Sequence, residues 1–250
     1  MSEDEGAWII VGRRNERRPS QGFSCISACS PVCAGPAPSP PSLYPPPRSI
    51  KALTRARAEV SQLAQALHER LLLFQGEHSF SRFLLLGIGT PASSAPARYQ
   101  LALALELREF LSLELHVHDP ALCADDVALL LHEHCKLLDG SQASQFYSCD
   151  EAEVRLISYM PHCAKELYDN VLAANWNTSS LQRLVLIGNS FSAYADKGHT
   201  SLVALASAFA TEYALLRLCS NSKTWPVGSF NDTATIHFDA RRMGSLEFFT

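Results

Sequence analysis

The segment from Arg82 to Leu111 constrains the fold of this chain more than any other stretch. It begins with a short continuous apolar run, Phe83–Leu86, of the kind that a strand covered on both faces requires. The run stops at Gly87-Ile88-Gly89, where two glycines without a Cβ let the backbone turn sharply. Ser94 and Pro96 suit the start of a helix, as its cap and its first-turn proline. The segment therefore predicts a strand, a glycine turn and a helix in succession.

Two amphipathic helices are predicted on either side of this strand. The helix after the turn has an apolar face made of Leu103, Leu107, Phe110 and Leu111. Its other face is expected to meet water and carries Gln100, Glu106, Arg108 and Glu109. The helix before the strand is capped by Ser49 and runs to about Gln75, with apolar residues at alternating steps of three and four. Because this stripe lasts only about three heptads, a helix packed on the sheet is favoured over a coiled-coil seam.

Further apolar runs alternate with helical patterns along the rest of the chain. Strands are predicted at 113–118, 135–138, 154–160, 184–187 and 233–238, helices at 125–134, 165–174 and 201–218, and a polar loop at 141–150. Because parallel neighbours need crossover connections, this alternation predicts an α/β fold: a Rossmann-like three-layer sandwich with a mainly parallel sheet. The last strand is expected either antiparallel at an edge or inserted between other strands.

The first 48 residues differ in composition from the rest of the chain. The segment 19–47 is rich in Pro, Ser, Ala and Gly, and it cannot bury enough apolar surface to offset the entropy lost on ordering. Residues 1–48 are therefore predicted to be a disordered tail, and residues 49–250 a single domain. The tail also carries the apolar patch Trp8–Val11 and the basic cluster Arg13–Arg18.

Net charge and hydropathy limit the cellular environments and the kinds of binding partner expected for this chain. The formal net charge is −4 and the isoelectric point is near 6.1, so there is no overall positive field to attract nucleic acid or an anionic membrane. No apolar run approaches the roughly 20 residues that a membrane helix needs. The eight cysteines are mostly isolated, which favours reduced thiols. We expect a cytoplasmic protein, with a nuclear pool if an import receptor reads Arg13–Arg18, although a solvated basic arm is the favoured interpretation of that cluster.

Polar and unusual residues gather where the predicted strands end. The carboxyl ends of parallel strands meet at one edge of a sheet, and a crevice opens where the strand order reverses. Turn chemistry alone attracts Gly, Asn, Asp and Ser to such loops, but His-Cys and Gly-Asn-Ser are not ordinary turn sequences. The candidate ligand-binding residues are Gly87, Gly89, Arg98, Tyr99, Asp119, His162, Cys163, Asn189 and Ser190.

The glycine turn does not identify a cofactor by itself. Gly87-x-Gly89-x-x-Ala92 matches the dinucleotide fingerprint with alanine in third place. Asp119, the acidic residue that ends the second strand, follows the glycine turn after about thirty residues. In a dehydrogenase the corresponding acidic residue follows the glycines after about 20. That spacing suits a methyltransferase-like fold equally well. The cofactor is therefore left unknown.

The histidine and cysteine residues allow a catalytic or metal-binding hypothesis, but a simpler interpretation is favoured for each. Cys163 beside His162 suggests a nucleophile with its base, yet adjacent side chains rarely point at each other, so an ordinary buried thiol is favoured. His116 and His118 share a strand face, but four metal ligands are not evident and no metal site is assigned. Arg98, near a helix N-terminus, is interpreted equally as an anion contact or as a salt bridge to Asp119.

A set of short motifs resembles one known family. In order along the chain they are Gly87-Ile-Gly89, Ala97-Arg98-Tyr99-Gln100-Leu101-Ala102, Asp119-Pro120, Tyr159-Met160-Pro161-His162-Cys163, Gly188-Asn189-Ser190-Phe191 and Phe230-Asn231-Asp232-Thr233. Their order and spacing resemble the Sensitivity to Red Light Reduced family over roughly residues 50–238. The proline-rich segment 19–47 lies outside the resemblance.

The resemblance implies a regulatory protein. The plant founder of the family is tied to phytochrome signalling and the circadian clock, and animal members to clock-gene expression and to regulation of haem biosynthesis. No established catalytic activity comes with the family, so a regulator is favoured, with a nucleotide-cofactor or methyl-transfer enzyme as the alternative. The implied partners are proteins that the sequence does not identify, and a small nucleotide-like ligand is a further option. The sequence adds no support for bound haem, since no cysteine precedes a proline.

Overall fold

Seven strands form one sheet in the computed structural model, which describes residues 44–75, 79–149, 151, 153–195, 201–218 and 225–243. The strands are β1 (Arg82–Leu86), β2 (Leu115–His118), β3 (Lys136–Leu137), β4 (Leu156–Met160), β5 (Leu184–Asn189), β6 (Ala210–Ala214) and β7 (Thr233–Phe238). Their order across the sheet is β3-β2-β1-β4-β5-β7-β6. The first five pair in parallel, whereas β7 is antiparallel to both β5 and β6. The fold is thus mixed α/β with a mostly parallel sheet, as the sequence predicted.

Helices connect the strands and cover both faces of the sheet. They are α1 (Pro47–Gln75), α2 (Ala95–Leu111), α3 (Ala124–His132), α4 (Gly140–Gln145), α5 (Lys165–Ala173), α6 (Thr178–Gln182), α7 (Ser192–Ala195) and α8 (Leu202–Ser207). Single turns of 3₁₀ helix follow β6 and β7, at Leu215–Arg217 and Ala240–Arg242. None of the described helices is both long and apolar enough to cross a membrane.

The core has two parts because successive strand residues point to opposite faces. Phe83 and Leu85 of β1 pack in one buried cluster with α1, α2 and α3, whereas Leu84 and Leu86 pack in another with α5, α6 and α8. Every one of these four side chains is fully buried. The central strand is therefore covered on both sides, which explains its continuous apolar sequence.

The positions of the two long helices were predicted well, but the exposure of some of their side chains was predicted less well. Ser94 caps α2 by accepting a hydrogen bond from the Ala97 amide, as predicted. α1 begins at Pro47, two residues before the predicted cap Ser49, because proline suits the first helical position. Gln100 was expected in water but is buried, since its amide donates to the Ser229 carbonyl at 2.8 Å. Phe110 was expected in the core but is 42% exposed.

The prediction of one long helix at 201–218 is wrong. Ser201 caps only α8, which ends at Ser207, and residues 210–214 form strand β6 instead. Tyr213, counted on the apolar face of that helix, pairs with Thr235 of β7. The free edge of β7 offers backbone hydrogen bonds that apolar spacing does not reveal, so tertiary context overrides the helical pattern. This pairing also places the last strand between two others, one of the two positions left open.

The predicted polar loop and the predicted N-terminal tail are the two remaining segments. The polar loop predicted at 141–150 contains α4, which Asp139 caps through the Gln142 amide. The tail predicted at 1–48 lies outside the described residues up to position 43, as do Trp8–Val11 and Arg13–Arg18. The described residues belong to one unit, 40–250. Disorder in the tail and a single domain at 49–250 therefore stay predictions.

Candidate functional site

The parallel strands β1, β2, β4 and β5 end at one edge of the sheet, and we call the loops that follow them the rim (residues 87–94, 119–123, 161–164 and 189–191). Three rim residues have left-handed backbone conformations, namely Gly87 (φ 63°), Gly89 (φ 73°) and His162 (φ 55°). Glycine adopts this region freely, whereas histidine does so at a cost. The β4 loop must therefore be held in place by its neighbours.

The turn after β1 and the turn after β4 pack directly against each other. A Cβ added to Gly87 would lie 2.5 Å from the Cys163 sulfur, so a side chain at this position would overlap the thiol. The Cys163 thiol lies 3.3 Å from the Leu86 carbonyl, to which it donates. Gly87 is thus required both for its backbone conformation and for the close approach of the thiol.

Cys163 is poorly suited to act as a nucleophile. Its side chain is buried, and burial raises the pKa of the thiol well above its usual value, with the negative charge of Asp119 adding to the effect. A thiol that stays protonated at neutral pH attacks weakly, because the thiolate is the reactive form. The neighbouring His162 ring contacts a different partner, the Gly228 carbonyl. The ordinary buried thiol favoured from the sequence agrees with this geometry.

Asp119, at the end of β2, holds the glycine turn. Its carboxylate accepts hydrogen bonds from the Gly89 amide at 2.5 Å and from the Ala121 amide at 2.7 Å. A carboxylate on backbone N–H groups fills the position that an anionic ligand would otherwise take. The salt bridge considered between Arg98 and Asp119 does not form among the described residues.

Asn189, the last residue of β5, ties three segments together. Its side-chain oxygen accepts the His162 amide at 3.2 Å, and its side-chain nitrogen donates to the Cys163 carbonyl at 3.3 Å and to the Tyr194 hydroxyl at 3.0 Å. Its backbone N–H donates to the buried Tyr168 hydroxyl at 2.7 Å. These bonds hold the left-handed turn at His162 against its conformational cost.

Ser190 and His162 extend this network toward β6 and β7. The Ser190 hydroxyl donates to the Glu212 carboxylate of β6, and its backbone N–H donates to the Asp232 carbonyl at 2.9 Å. The His162 Nε2 lies 2.6 Å from the Gly228 carbonyl. A carbonyl only accepts, so Nε2 carries the proton in this contact. His162 itself is exposed to solvent.

Arg98 and Tyr99 do not join these residues. The Arg98 guanidinium donates to the carbonyls of Pro91 at 3.0 Å and Ala92 at 2.9 Å, so it fastens the loop between β1 and α2. The Tyr99 hydroxyl donates to Glu59 of α1 at 2.5 Å. Burial and this carboxylate raise the pKa of Tyr99 to about 12. An anion contact by Arg98 stays a prediction.

Sequence reasoning missed several residues that shape the rim. Tyr168 lies on α5 and its hydroxyl donates to the Met160 carbonyl at 2.5 Å. A Cβ on Gly188 would overlap that hydroxyl and would lie 2.9 Å from the same carbonyl. Glu212 was hidden in the segment mistaken for a helix. A buried tyrosine on a helix carries no sequence signal for such a role, whereas the tight Gly188 before Asn189 was a usable one.

The histidines considered for a metal have other contacts. His118 Nδ1 lies 3.0 Å from the Leu138 carbonyl, and the His116 ring packs against Phe146. Burial lowers the pKa of His116. Within the described part of the chain, no group of three or more His, Cys, Asp or Glu side chains is arranged to hold a metal ion.

Comparison with known proteins identifies the family. A sequence profile of the SRR1 domain matches residues 60–238, from α1 to the end of β7. The chain belongs to the SRR1 domain family. The match spans more than half of the chain and includes all the rim residues described above, so the resemblance to the Sensitivity to Red Light Reduced family is confirmed.

Individual SRR1 relatives match shorter parts of the chain. The Arabidopsis thaliana protein SENSITIVITY TO RED LIGHT REDUCED 1 is 31% identical over 131 residues, which are 51% of this chain and 46% of that protein. An SRR1-like protein of Mus musculus is 35% identical over 108 residues, 42% of each chain, and one of Drosophila melanogaster is 31% identical over 114 residues, 44% of this chain and 39% of the fly protein. The matches thus span less than half the length of these relatives. No solved structure matches the chain.

The close contact between Gly87 and Cys163 gives a first prediction. Gly87→Ala and Gly89→Ala should each cost about 1–2 kcal/mol for the left-handed conformation, and Gly87→Ala should cost about 1–3 kcal/mol more because its Cβ meets the thiol. Nothing lies within 4 Å of a Cβ at Gly89, so that variant is the matched control. Urea unfolding measures both. Adding Cys163→Ala should recover part of the extra loss in Gly87→Ala; equal losses in the two single variants would contradict the contact.

The burial of Cys163 gives a second prediction. At pH 8 iodoacetamide should alkylate the exposed Cys123 rapidly and leave Cys163 unmodified until the protein unfolds, since burial raises the pKa of the Cys163 thiol. The folded pKa lies above the unfolded one, so this stabilisation is full below pH ~8.5 and declines above it as the unfolded thiol ionises. Peptide mass spectrometry reads the labelling. Equal rates at Cys163 and Cys123 in the folded protein would show that the thiol is accessible and ionised.

Proposed function

We propose that this SRR1-domain protein is a regulator that acts through the rim of a Rossmann-like fold, by contacting a protein partner or sensing a small ligand. The name of the plant relative links that protein to red-light sensitivity. For this chain we propose the regulatory outputs that the family resemblance implies: circadian clock-gene expression and haem biosynthesis. We also propose that it acts in the cytoplasm and the nucleus.

The observation that carries this proposal is that the reactive side chains of the rim are bound to its own backbone. The Cys163 thiol is buried on the Leu86 carbonyl, and Asp119 accepts from the Gly89 and Ala121 amides. A general base or nucleophile needs a free acceptor or an ionised atom within reach of a substrate. These groups serve instead to fix the shape of the rim, which suits a recognition surface.

His162 is the exposed member of this surface. The Asn189 side chain and the Gly228 carbonyl hold it in a left-handed turn at the edge of β4. A side chain held in a strained conformation and open to solvent is well placed for contact with a partner. We therefore assign the recognition role of the rim first to His162.

Replacement of His162 tests the regulatory proposal. In cells that lack the endogenous protein, the His162→Asn chain should fail to restore the amplitude of clock-gene transcript rhythms and the cellular haem content. His134→Asn should restore both. His134 is also an exposed histidine with left-handed backbone (φ 58°), and asparagine tolerates this conformation at both sites. Full restoration by His162→Asn, at equal protein level, would refute the role of the rim.

An enzyme that uses a nucleotide cofactor or transfers a methyl group is the second candidate. It is favoured by the order of the five parallel strands, which follows the doubly wound arrangement and reverses between β1 and β4, next to the glycine turn. The space beside Gly89 is also open. The bond from the Gly89 amide to Asp119 argues against it, because the carboxylate competes with a phosphate for that amide.

A ligand titration separates the two candidates. Thermal unfolding of the purified chain is followed with S-adenosylmethionine, NAD and NADP, for the native protein and for Asp119→Asn. The regulator proposal predicts no saturable rise in the unfolding temperature that depends on Asp119. A saturable rise that Asp119→Asn removes would support the enzyme, because the Asp119 carboxylate would then serve cofactor binding and not only the Gly89 and Ala121 amides.

A further inference from the structure

The two edges of the sheet are built differently. At one edge β3 has only two residues, and both its shortness and its exposed Lys136 discourage pairing with another chain. At the other edge β6 has five residues without a lysine or a proline. Within the described part of the chain, no further strand pairs with the outer side of β6. Alternate residues of β6 therefore turn their backbone N–H and C=O groups away from β7, where another strand can pair with them.

The single charged side chain of β6 does not protect this edge. The Glu212 carboxylate accepts hydrogen bonds from the Ser190 hydroxyl and, at 3.0 Å, from the Ser192 amide. Both donors follow β5, which lies on the far side of β7 from β6. The carboxylate is therefore drawn back across the sheet, away from a strand that approaches the outer side of β6.

A guanidinium group lies beside this edge, on the face of the sheet that α1 covers. The Cζ atom of Arg70 in α1 lies 4.4 Å from the centroid of the Tyr213 ring of β6 and 5.2 Å from that of Phe74. Cation–π attraction to two rings holds the guanidinium in one orientation. Because Tyr213 belongs to the edge strand, Arg70 places a positive charge at a fixed position beside β6.

The Arg70 guanidinium has no carboxylate partner among the described residues. Neither a hydrogen bond nor an ion pair joins it to any of them, and only its Nε is buried, so its two terminal nitrogens keep accessible surface. Neighbouring acidic side chains have other contacts: Glu69 accepts from Gln65 at 3.1 Å, and Asp239 lies 3.4 Å from Arg241. The terminal N–H groups of Arg70 are thus free to bind a carboxylate from another molecule.

A second copy of this chain suits the edge less well than an acidic partner does. The Arg242 side chain donates to the Ala210 carbonyl at 2.7 Å and to the Thr211 hydroxyl at 3.1 Å, at the start of β6. In an antiparallel pair of two β6 strands, the start of one strand lies beside the end of the other. Arg242 of one copy would then approach Arg70 of the other, and like charges oppose that pairing.

We propose that β6 binds an extended acidic segment of a partner protein, which adds a strand to the sheet and places a glutamate or aspartate side chain on Arg70. Backbone hydrogen bonds to β6 supply the affinity, and the pairing with Arg70 selects acidic side chains. This surface goes beyond the function proposed above, because neither His162 nor the strand-end loops form part of it.

Three fluorescein-labelled heptapeptides test the proposal with the full purified chain. The first alternates valine and glutamate, the second has glutamine in place of each glutamate, and the third is the first with N-methyl groups along its whole backbone. Fluorescence anisotropy should show saturable binding of the first peptide, and binding about tenfold weaker or less for the other two. Because the chain carries a net charge of −4, its overall field does not attract an acidic peptide, so a preference for glutamate reports a local site.

Protein variants and hydrogen exchange locate the binding. Arg70→Gln should weaken binding of the glutamate peptide about tenfold and leave the glutamine peptide unchanged. Lys51→Gln is the matched control, because it removes one positive charge from an exposed position of the same helix, and it should change neither. Arg70→Lys keeps the charge without the planar fork and should give intermediate affinity, which preserves the test if Arg70→Gln does not fold. The glutamate peptide should protect backbone amides in 210–214 and not those of β3.

Several results would overturn this proposal. They are the absence of saturable binding, equal binding of the glutamate and glutamine peptides, equal binding of the N-methylated peptide, or equal loss in Lys51→Gln. Protection of the β6 amides without peptide would also overturn it: protection that rises with protein concentration would identify a second copy as the occupant, and protection at every concentration would show that the chain covers β6 itself. The assay does not involve His162, so this proposal and the proposed function can fail separately.

Discussion

The shape of the rim depends on the hydrogen bonds of the Asn189 side chain. It lies at the end of β5 and bonds the backbone on both sides of the β4 turn, at the His162 amide and the Cys163 carbonyl. These bonds hold the backbone of the turn and, together with the contact between the His162 ring and the Gly228 carbonyl, offset the cost of the left-handed conformation of His162. The position of the Cys163 thiol over Gly87 depends on the same turn. One amide side chain thus joins the ends of β4 and β5, and the Cys163 thiol of the same turn contacts the end of β1.

In this arrangement the polar residues at the strand ends have structural roles. Asp119 and Cys163 resemble catalytic groups in type, but the protein uses them to bind its own loop amides and carbonyls. A rim built in this way presents a fixed surface, and in the function proposed above the exposed His162 is the part of it that contacts a partner.

The sequence predicted the parts of the fold that local patterns determine. Phe83–Leu86 became the core of β1 and Ser94 capped α2, because burial and capping act through neighbouring residues. Strand β6 could not be predicted, since its formation depends on the distant edge of β7. At the site, the strand-end rule brought His162, Cys163 and Asn189 together, whereas Arg98 and Tyr99 turned to partners that only the folded chain supplies. Side-chain contacts between distant segments carry no local signal.

Hydrogen exchange at the His162 amide measures whether Asn189 holds the β4 turn. If Asn189 holds the β4 turn, Asn189→Ala should lower the protection of the His162 amide about tenfold or more, with the amides in the middle of β4 and β5 unchanged. The exposed Asn231 supplies the control variant Asn231→Ala, which should leave that amide as it is. Unchanged protection of the His162 amide in Asn189→Ala would show that the turn is held by something other than Asn189.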